Sequence, residues 1–238
     1  MATQFANGKI VTDGLVLCLD AADQTSYPTT GTTWFDLAGS NNGTLTNGPT
    51  FSGTGASSSI VFDGVDDYVN LNSLSTLVGK TNVTVDCWFF NDSLPSGFQN
   101  IVGQFSSNGW LIHTYKDNPN LSILVLVGGG GSYGGINITP TNRWFNVILA
   151  YDGTLTGDEN RLKMYVNGVL RRFDSYVGGE VPSTWPNATA VNATVGTLIG
   201  FGRYFNGKIP IVRIYEKTLS ASEVRQNYNA QKGRFGLS

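Results

Sequence analysis

Apolar runs in this chain are short, many alternate, and turn residues cut every one of them. The run Val83-Thr84-Val85-Asp86-Cys87-Trp88-Phe89-Phe90 sets Val83, Val85, Cys87 and Phe89 on one parity, with Asp86 and Trp88 on the other. A period of two marks a strand whose two faces meet different surroundings. Comparable runs occur at Gly14–Ala21, Trp144–Tyr151 and Arg161–Val166, bounded by Gly, Asn, Asp or Pro. Asn167-Gly168, between RLKMYV and VLRRF, is a strong hairpin signal because both residues tolerate the positive φ of a type I′ turn. Thirty glycines and only 13% charged residues suit many short strands and not a helical protein.

Further strands are expected at IVGQF, WLIHTY, Leu121–Val127, ATVGTLIG and KIPIVRIY. SIVF and YVNL read as a hairpin around an acidic loop. Residues 22–58 are turn-rich, with Trp34, Phe35 and Leu37 as apolar anchors. GGGGSYGG (Gly128–Gly135) reads as a mobile hairpin loop within the domain. One helix is expected. Ser220 stands three residues before Glu223, the spacing of a capping box. Val224, Tyr228 and Gln231 follow at helical spacing, with Gly233 as the stop. The chain is therefore expected to be all-β: a sandwich of two antiparallel sheets with one short C-terminal helix, a single domain over 1–238 with its core at 14–230.

A formal charge of −2 argues against nucleic acid as a partner, since phosphate binding needs a basic surface. No aliphatic run approaches the roughly 20 residues of a membrane span. The opening MATQFANGKIVTDGL lacks a basic stretch followed by an apolar one, so no secretory signal is expected. Cys18 and Cys87 sit in apolar runs and are expected to be free buried thiols, not a redox or zinc pair.

Catalytic chemistry is hard to place on these residues. Retaining glycoside hydrolysis needs two carboxylates roughly 5–5.5 Å apart, which a strand supplies as acids at alternate positions. The four glutamates, Glu159, Glu180, Glu216 and Glu223, have no such neighbour, and Asp86 is alone in mid-strand. His113, the sole histidine, has no legible nucleophile beside it. No catalytic residue is assigned, and the chain is expected not to be an enzyme.

Four strings carry a family likeness. FDGVDDYV resembles the FDGxxDYV element of LamG-like jelly-roll domains in the concanavalin A-like lectin/glucanase superfamily. VTVDCWFF, RWFNVILAYDG with RLKMYVNGVL, and FNGKIPIVRIYEKTLSASEV resemble its later strands, in the family's order. The resemblance implies a jelly-roll β-sandwich. It also implies packing roles for Trp88 and Trp144, and rim sites that in some members hold calcium. Pro210-Ile211 stand where the family often has Asp-Glu. Proline lacks the amide donor, so that strand is expected to be at an edge or locally unpaired. The stretches around LDAADQTSYPTTGTTWFDL and NYNAQKGRFGL resemble standalone jelly-roll proteins of tailed bacteriophages, which implies a virion setting.

Two sets of candidate site residues follow. Asp63, Asp66 and Asp67 could hold calcium, or could serve only as the polar residues of a turn. The loop Asp36–Asn42 has the same two readings. Trp185, between Pro182 and Pro186, is expected to be loop-borne and partly exposed. With Tyr133 and Tyr204 it could contact a glycan or a protein partner. The expected function is a non-enzymatic virion protein, a capsid decoration or a fibre or tail component. It would touch other virion proteins or its own copies, and be made in a bacterial cytoplasm. The alternative is a lectin-like carbohydrate-binding module for attachment to a host or polysaccharide, and an endo-glycanase ranks below both.

Overall fold

The computed structural model describes residues 9–93, 97–115, 122–129, 133–138, 141–173, 175–177 and 179–238. In chain order its strands are β1 (Leu15–Asp20), β2 (Thr33–Trp34), β3 (Gly43–Thr46), β4 (Thr50–Ser52), β5 (Ser59–Asp63) and β6 (Tyr68–Asn70). Next come β7 (Asn82–Asn91), β8 (Phe98–Phe105), β9 (Asn108–Tyr115), β10 (Ile123–Gly129), β11 (Tyr133–Ile136) and β12 (Trp144–Asp152). The last five are β13 (Leu162–Val166), β14 (Val169–Arg171), β15 (Ser175–Val177), β16 (Thr194–Val195) and β17 (Asn206–Tyr215). One antiparallel sheet has eight strands in the order β14-β13-β12-β7-β17-β5-β4, with β1 also paired to β17. The other has nine, in the order β15-β11-β10-β9-β8-β16-β6-β3-β2.

The alternation in β7 is realised as expected. Val83, Val85, Cys87 and Phe89 enter the main core with Trp110, Ile112 and Val125 of the facing sheet. Trp88 points the other way, beneath the C-terminal helix. After the single helical turn α1 (Asp158–Arg161), that helix, α2 (Ala221–Gln231), opens at the capping box: the Glu223 amide donates to Ser220 Oγ, and the Ser220 amide to Glu223 Oε2 at 2.8 Å. Gly233 does not end it. The chain continues as a 3₁₀ turn over Lys232–Phe235, and Gly236, at φ 69°, takes the left-handed position. This extension brings Phe235 to 4.5 Å from the Trp88 ring, while Tyr228 stacks on Trp88 at 5.7 Å. The outer face of the eight-stranded sheet is thereby covered.

Beneath the helix lies a buried charged cluster. Asp86, the one acid in β7, is paired with a cation. Arg213, 1% exposed, reaches Asp86 at 3.5 Å and Asp20 at 3.9 Å. Arg234 grips both oxygens of Asp20 at 2.7 Å. The Nδ2 groups of Asn146 and Asn227 donate to Asp86 at 2.7 and 3.3 Å. Burial raises the Asp86 pKa, against Arg213 and the two amides, which lower it.

Three local expectations change. SIVF and YVNL do not pair: β5 joins β17 and β4, whereas β6 joins β3 and β16 in the other sheet. The acidic turn is a crossover between sheets. Pro210 is not at an edge, because β17 is central; it sits instead at a gap in the ladder. Pairing with β7 shifts between Lys208 and Ile211, and the partner on the other side changes from β5, ending at Ile209, to β1, starting at Ile211. The missing amide falls where no ladder bond is made, as the alternative reading required. Phe35 is exposed, because alternation turns it away from the fully buried Trp34. The Asn167-Gly168 hairpin joins β13 to β14, with φ of 52° and 74°. Cys18 and Cys87 are free and buried.

Replacing Arg213 by Met should cost about 3–5 kcal/mol, because Asp86 is left charged and dry. The double variant Arg213→Met, Asp86→Leu should recover much of that loss in urea unfolding. Additive losses would show that the two do not interact.

Candidate functional site

With the eight-stranded sheet covered by the helix, the nine-stranded sheet offers the other outer face. None of its nine strands contains Asp, Glu, Lys or Arg. Trp110 and Ile112 of β9 enter the core, so Leu111, His113 and Tyr115 have the outward parity. In register, Asn100 of β8, His113 of β9 and Leu124 of β10 lie side by side.

The segment between β16 and β17 folds over this face. The Gly196 amide donates to the Ile101 carbonyl at 2.9 Å, and the Arg203 carbonyl accepts from the Asn100 amide at 3.1 Å. Asn100 Nδ2 donates to the Thr197 carbonyl at 2.6 Å. Leu198 packs on Leu111, Leu126 and Phe105 as a small apolar cluster outside the main core. Beyond it, Phe201 is 46% exposed and Ile199 40%. Gly200 and Gly202, at φ 82° and 61°, hold Phe201 out on the tip of this segment. The Arg203 guanidinium lies 4.4 Å from the centre of the Phe98 ring and 5.2 Å from that of Phe201. Phe98 stacks on Tyr115 at 4.1 Å and meets His113 at 4.7 Å. The result is an aromatic platform threaded by one arginine.

His113 is buried, and its Nδ1 has no hydrogen-bond partner. Burial lowers its pKa to about 3, with a further push down from Arg203. It is therefore neutral and not a proton carrier near pH 7.

The acidic corner is intact as a group. One carboxylate oxygen from each of Asp63, Asp66 and Asp67 lies within 4.8 Å of the others. Their hydrogen bonds serve the turn. The Val65 amide donates to Asp63 Oδ1 at 2.8 Å, and the Asp63 amide to Asp67 Oδ2 at 3.1 Å. Asp67 is 5% exposed. Burial raises its pKa, the Asp63 amide opposes this, and Asp63 and Asp66 raise it further. In the second polar loop, Asp36 accepts from the Cys18, Ala38 and Asn41 amides, which ties its carboxylate into the backbone.

The three aromatic candidates are not brought together. Trp185 is 2% exposed, not loop-borne in water. Its amide donates to the Lys80 carbonyl and its carbonyl accepts from Gly79, so the segment is held against residues 79–80. Its ring sits 5.7 Å from Trp110 and 5.3 Å from Tyr151. A large apolar ring that can reach the core is buried there, whatever the prolines beside it suggest. It lines the floor of a cleft of about 590 Å³ with Pro182, Pro186, Asn108 and Asn187. Tyr133 opens β11, opposite Leu126 and Val177, and is not in the glycine loop. Residues 130–132 of that loop lie outside the described residues. Tyr204 is half-buried. The sequence reading missed Phe98, Phe201 and Arg203. The signal was Gly200-Phe201-Gly202-Arg203, an aromatic framed by glycines beside an arginine.

Two stacked antiparallel sheets, with a helix on one outer face and the segment between β16 and β17 with its aromatic platform on the other, define a lectin-type β-sandwich. A family model described as the concanavalin A-like lectin/glucanases superfamily matches residues 63–225, and the chain belongs to that superfamily. A search of curated proteins finds no match. Among solved structures, Trypanosoma rangeli sialidase in complex with sialic acid aligns with a TM-score of 0.67 and 16% identity, over 98% of this chain and 36% of the sialidase. This chain thus spans about a third of that protein. Domain 4 of a GH43 extracellular arabinanase from Geobacillus stearothermophilus, in complex with arabinotriose, aligns with a TM-score of 0.62 and 19% identity, over 90% of this chain and 98% of the domain. The binding domain of botulinum neurotoxin serotype D gives 0.61 and 16%, over 93% and 53%. At such identities the likeness is one of fold. Among the described residues, no helix is long and apolar enough to cross a membrane.

Millimolar calcium or a chelator should leave the melting temperature unchanged within a degree, because the turn is held by its own hydrogen bonds. A rise of several degrees with calcium, lost in Asp66→Asn, would assign the corner to the ion instead.

For His113 the folded pKa lies below the unfolded value, so its stabilisation is complete above about pH 6.5 and declines as pH falls towards 3. Between pH 7 and 5 this removes about 2 kcal/mol from the wild type. His113→Leu should flatten that part of the urea-unfolding profile. An unchanged profile would contradict the dry, neutral imidazole.

Proposed function

We propose that this chain is a non-enzymatic contact protein of a bacteriophage particle, a capsid decoration or a part of a fibre or tail, with glycan adhesion as part of its work. One observation carries the non-enzymatic reading: the open sheet face has no carboxylate in any of its strands. Two-carboxylate glycoside chemistry needs acids flanking the scissile bond, and among the described residues lining the cleft at Trp185 there is a single acid, Glu180. Asp20 and Asp86 are ion-paired under the helix. Glu180 and Glu216 pair with Arg161 and Lys80, and Glu223 caps α2. Glu159 lies on the short helix Asp158–Arg161.

Carbohydrate as a ligand class is supported by the superfamily and by the aromatic platform, since ring faces stack on the apolar faces of sugars. The arabinanase domain solved with arabinotriose matches nearly end to end, which adds to that support. The particle setting is supported by the likeness of the terminal stretches to phage jelly-roll proteins. Its partners there would be neighbouring virion proteins or copies of itself.

Mass spectrometry of purified particles should find the chain in stoichiometric copies, and a glycan array with and without calcium should show binding that Phe201→Ala weakens about tenfold. Absence from the particles ends the virion reading. Silence across the array leaves protein contact alone, and release of reducing ends from a polysaccharide panel would make the protein an enzyme.

A further inference from the structure

Among the buried and half-buried arginines whose partners are described, Arg203 alone has no acid. Arg213 and Arg234 pair with Asp20 and Asp86, and Arg161 with Glu180. Arg203 is half-buried, and its guanidinium makes no ion pair and no hydrogen bond with any described residue. Its contacts are the rings of Phe98 and Phe201. Ring faces attract the cation, yet they accept no in-plane hydrogen bond from its five N–H donors, which stay free to meet a ligand or solvent. Burial pushes its pKa down, with no carboxylate acting against that shift. A planar fork of donors held between aromatic faces suits bidentate capture of a planar or tetrahedral anion.

Two further polar atoms beneath it lack partners. His113 Nδ1 and Asn100 Oδ1 are buried without hydrogen bonds, and the two residues are directly opposed across β8 and β9. His113 lies against the same Phe98 ring that Arg203 covers. Unsatisfied buried polar atoms are uncommon in folded proteins, and two side by side next to this platform point to a ligand or ordered water that completes them.

We propose that the Arg203–Phe98–Phe201 platform binds saccharides carrying a carboxylate or sulfate group. Arg203 takes the anion, and Phe201 stacks on the ring. This deepens the glycan-adhesion reading and rests on it. The overall charge of −2 sharpens the inference. A weakly acidic protein gains nothing from long-range attraction to polyanions, so a preference for them must come from a local cation.

The test is binding by calorimetry to polygalacturonate, dextran sulfate and neutral dextran, at low and at physiological salt. The wild type should bind at least one of the two polyanions at least tenfold more tightly than neutral dextran. Which of the two binds identifies the anion. Arg203→Gln should remove that preference while the protein still folds, with only a small fall in melting temperature, because two ring contacts and no ion pair are lost. Arg203→Lys should keep the charge yet restore only part of the affinity, since the fork is gone.

Phe201→Ala should weaken binding to the polyanion about tenfold through lost stacking. Equal binding of neutral and anionic polymers overturns this inference and leaves adhesion standing, as does a preference that survives Arg203→Gln. No binding to any of the three, together with a silent glycan array, ends the adhesion reading itself.

Discussion

Arg213 has no access to water, and the helix side of the molecule is arranged around that fact. A buried guanidinium is tolerated only with opposite charge close by. Here two carboxylates supply it, Asp20 at the end of β1 and Asp86 in mid-β7, and Asp86 is in turn held by amide donors from Asn146 on β12 and Asn227 on α2. Arg234, beyond α2, holds both oxygens of the Asp20 carboxylate, so that two arginines face two aspartates. The cluster therefore fixes where the C-terminal helix can sit. A shift of one helical turn would leave Asp86 short of an amide and Asp20 short of its cation. Apolar contacts of Trp88 with Tyr228 and Phe235 fill the space beside it and supply the net stabilisation that buried ion pairs seldom give.

That capping decides where function can lie. A two-layer sandwich has two outer faces. One is closed here by α2 and the charged cluster, so recognition falls to the other face and to the loops at the rims. On the open face the strands contribute no formal charge, and the segment between β16 and β17 carries Arg203 to it. The division is chemical as well as geometric: charge is concentrated and neutralised under the helix, while the opposite face is aromatic and amide-bearing.

Much of this fold was legible because its signals are local. Parity in VTVDCWFF reports which side chains enter the core, Asn167-Gly168 reports a turn, and Ser220 with Glu223 reports a helix start. Each depends on residues within a few positions of one another. The failures are of another kind. A β-run, a polar turn and a second β-run look the same whether the second strand pairs with the first or crosses to the opposite sheet. For β5 the outcome rests on β17, more than 130 residues away in sequence, and for β6 on β3 and β16. Trp185 was misread for the same reason: two prolines describe its backbone, whereas its burial depends on Trp110 and Tyr151. Gly233 was a reasonable helix stop, but packing of Phe235 on Trp88 carried the turn three residues further.

The candidate site was less legible than the fold, and the physical cause is instructive. Clustered acids and loop tryptophans stand out in a sequence, so Asp63, Asp66, Asp67 and Trp185 drew the eye. In the structure most of them are consumed by folding: Asp63 and Asp67 hold a crossover turn, and Trp185 fills the end of the core. A binding residue is better recognised by what folding leaves unsatisfied. Arg203 has the ordinary appearance of a loop cation in the sequence, yet in space it is a half-buried guanidinium with no acid among the described residues, near a histidine Nδ1 and an asparagine Oδ1 that make no hydrogen bond. Unmet bonding capacity at a surface is stored affinity, because a ligand that supplies the missing acceptor regains what the fold gave up in desolvating the donor.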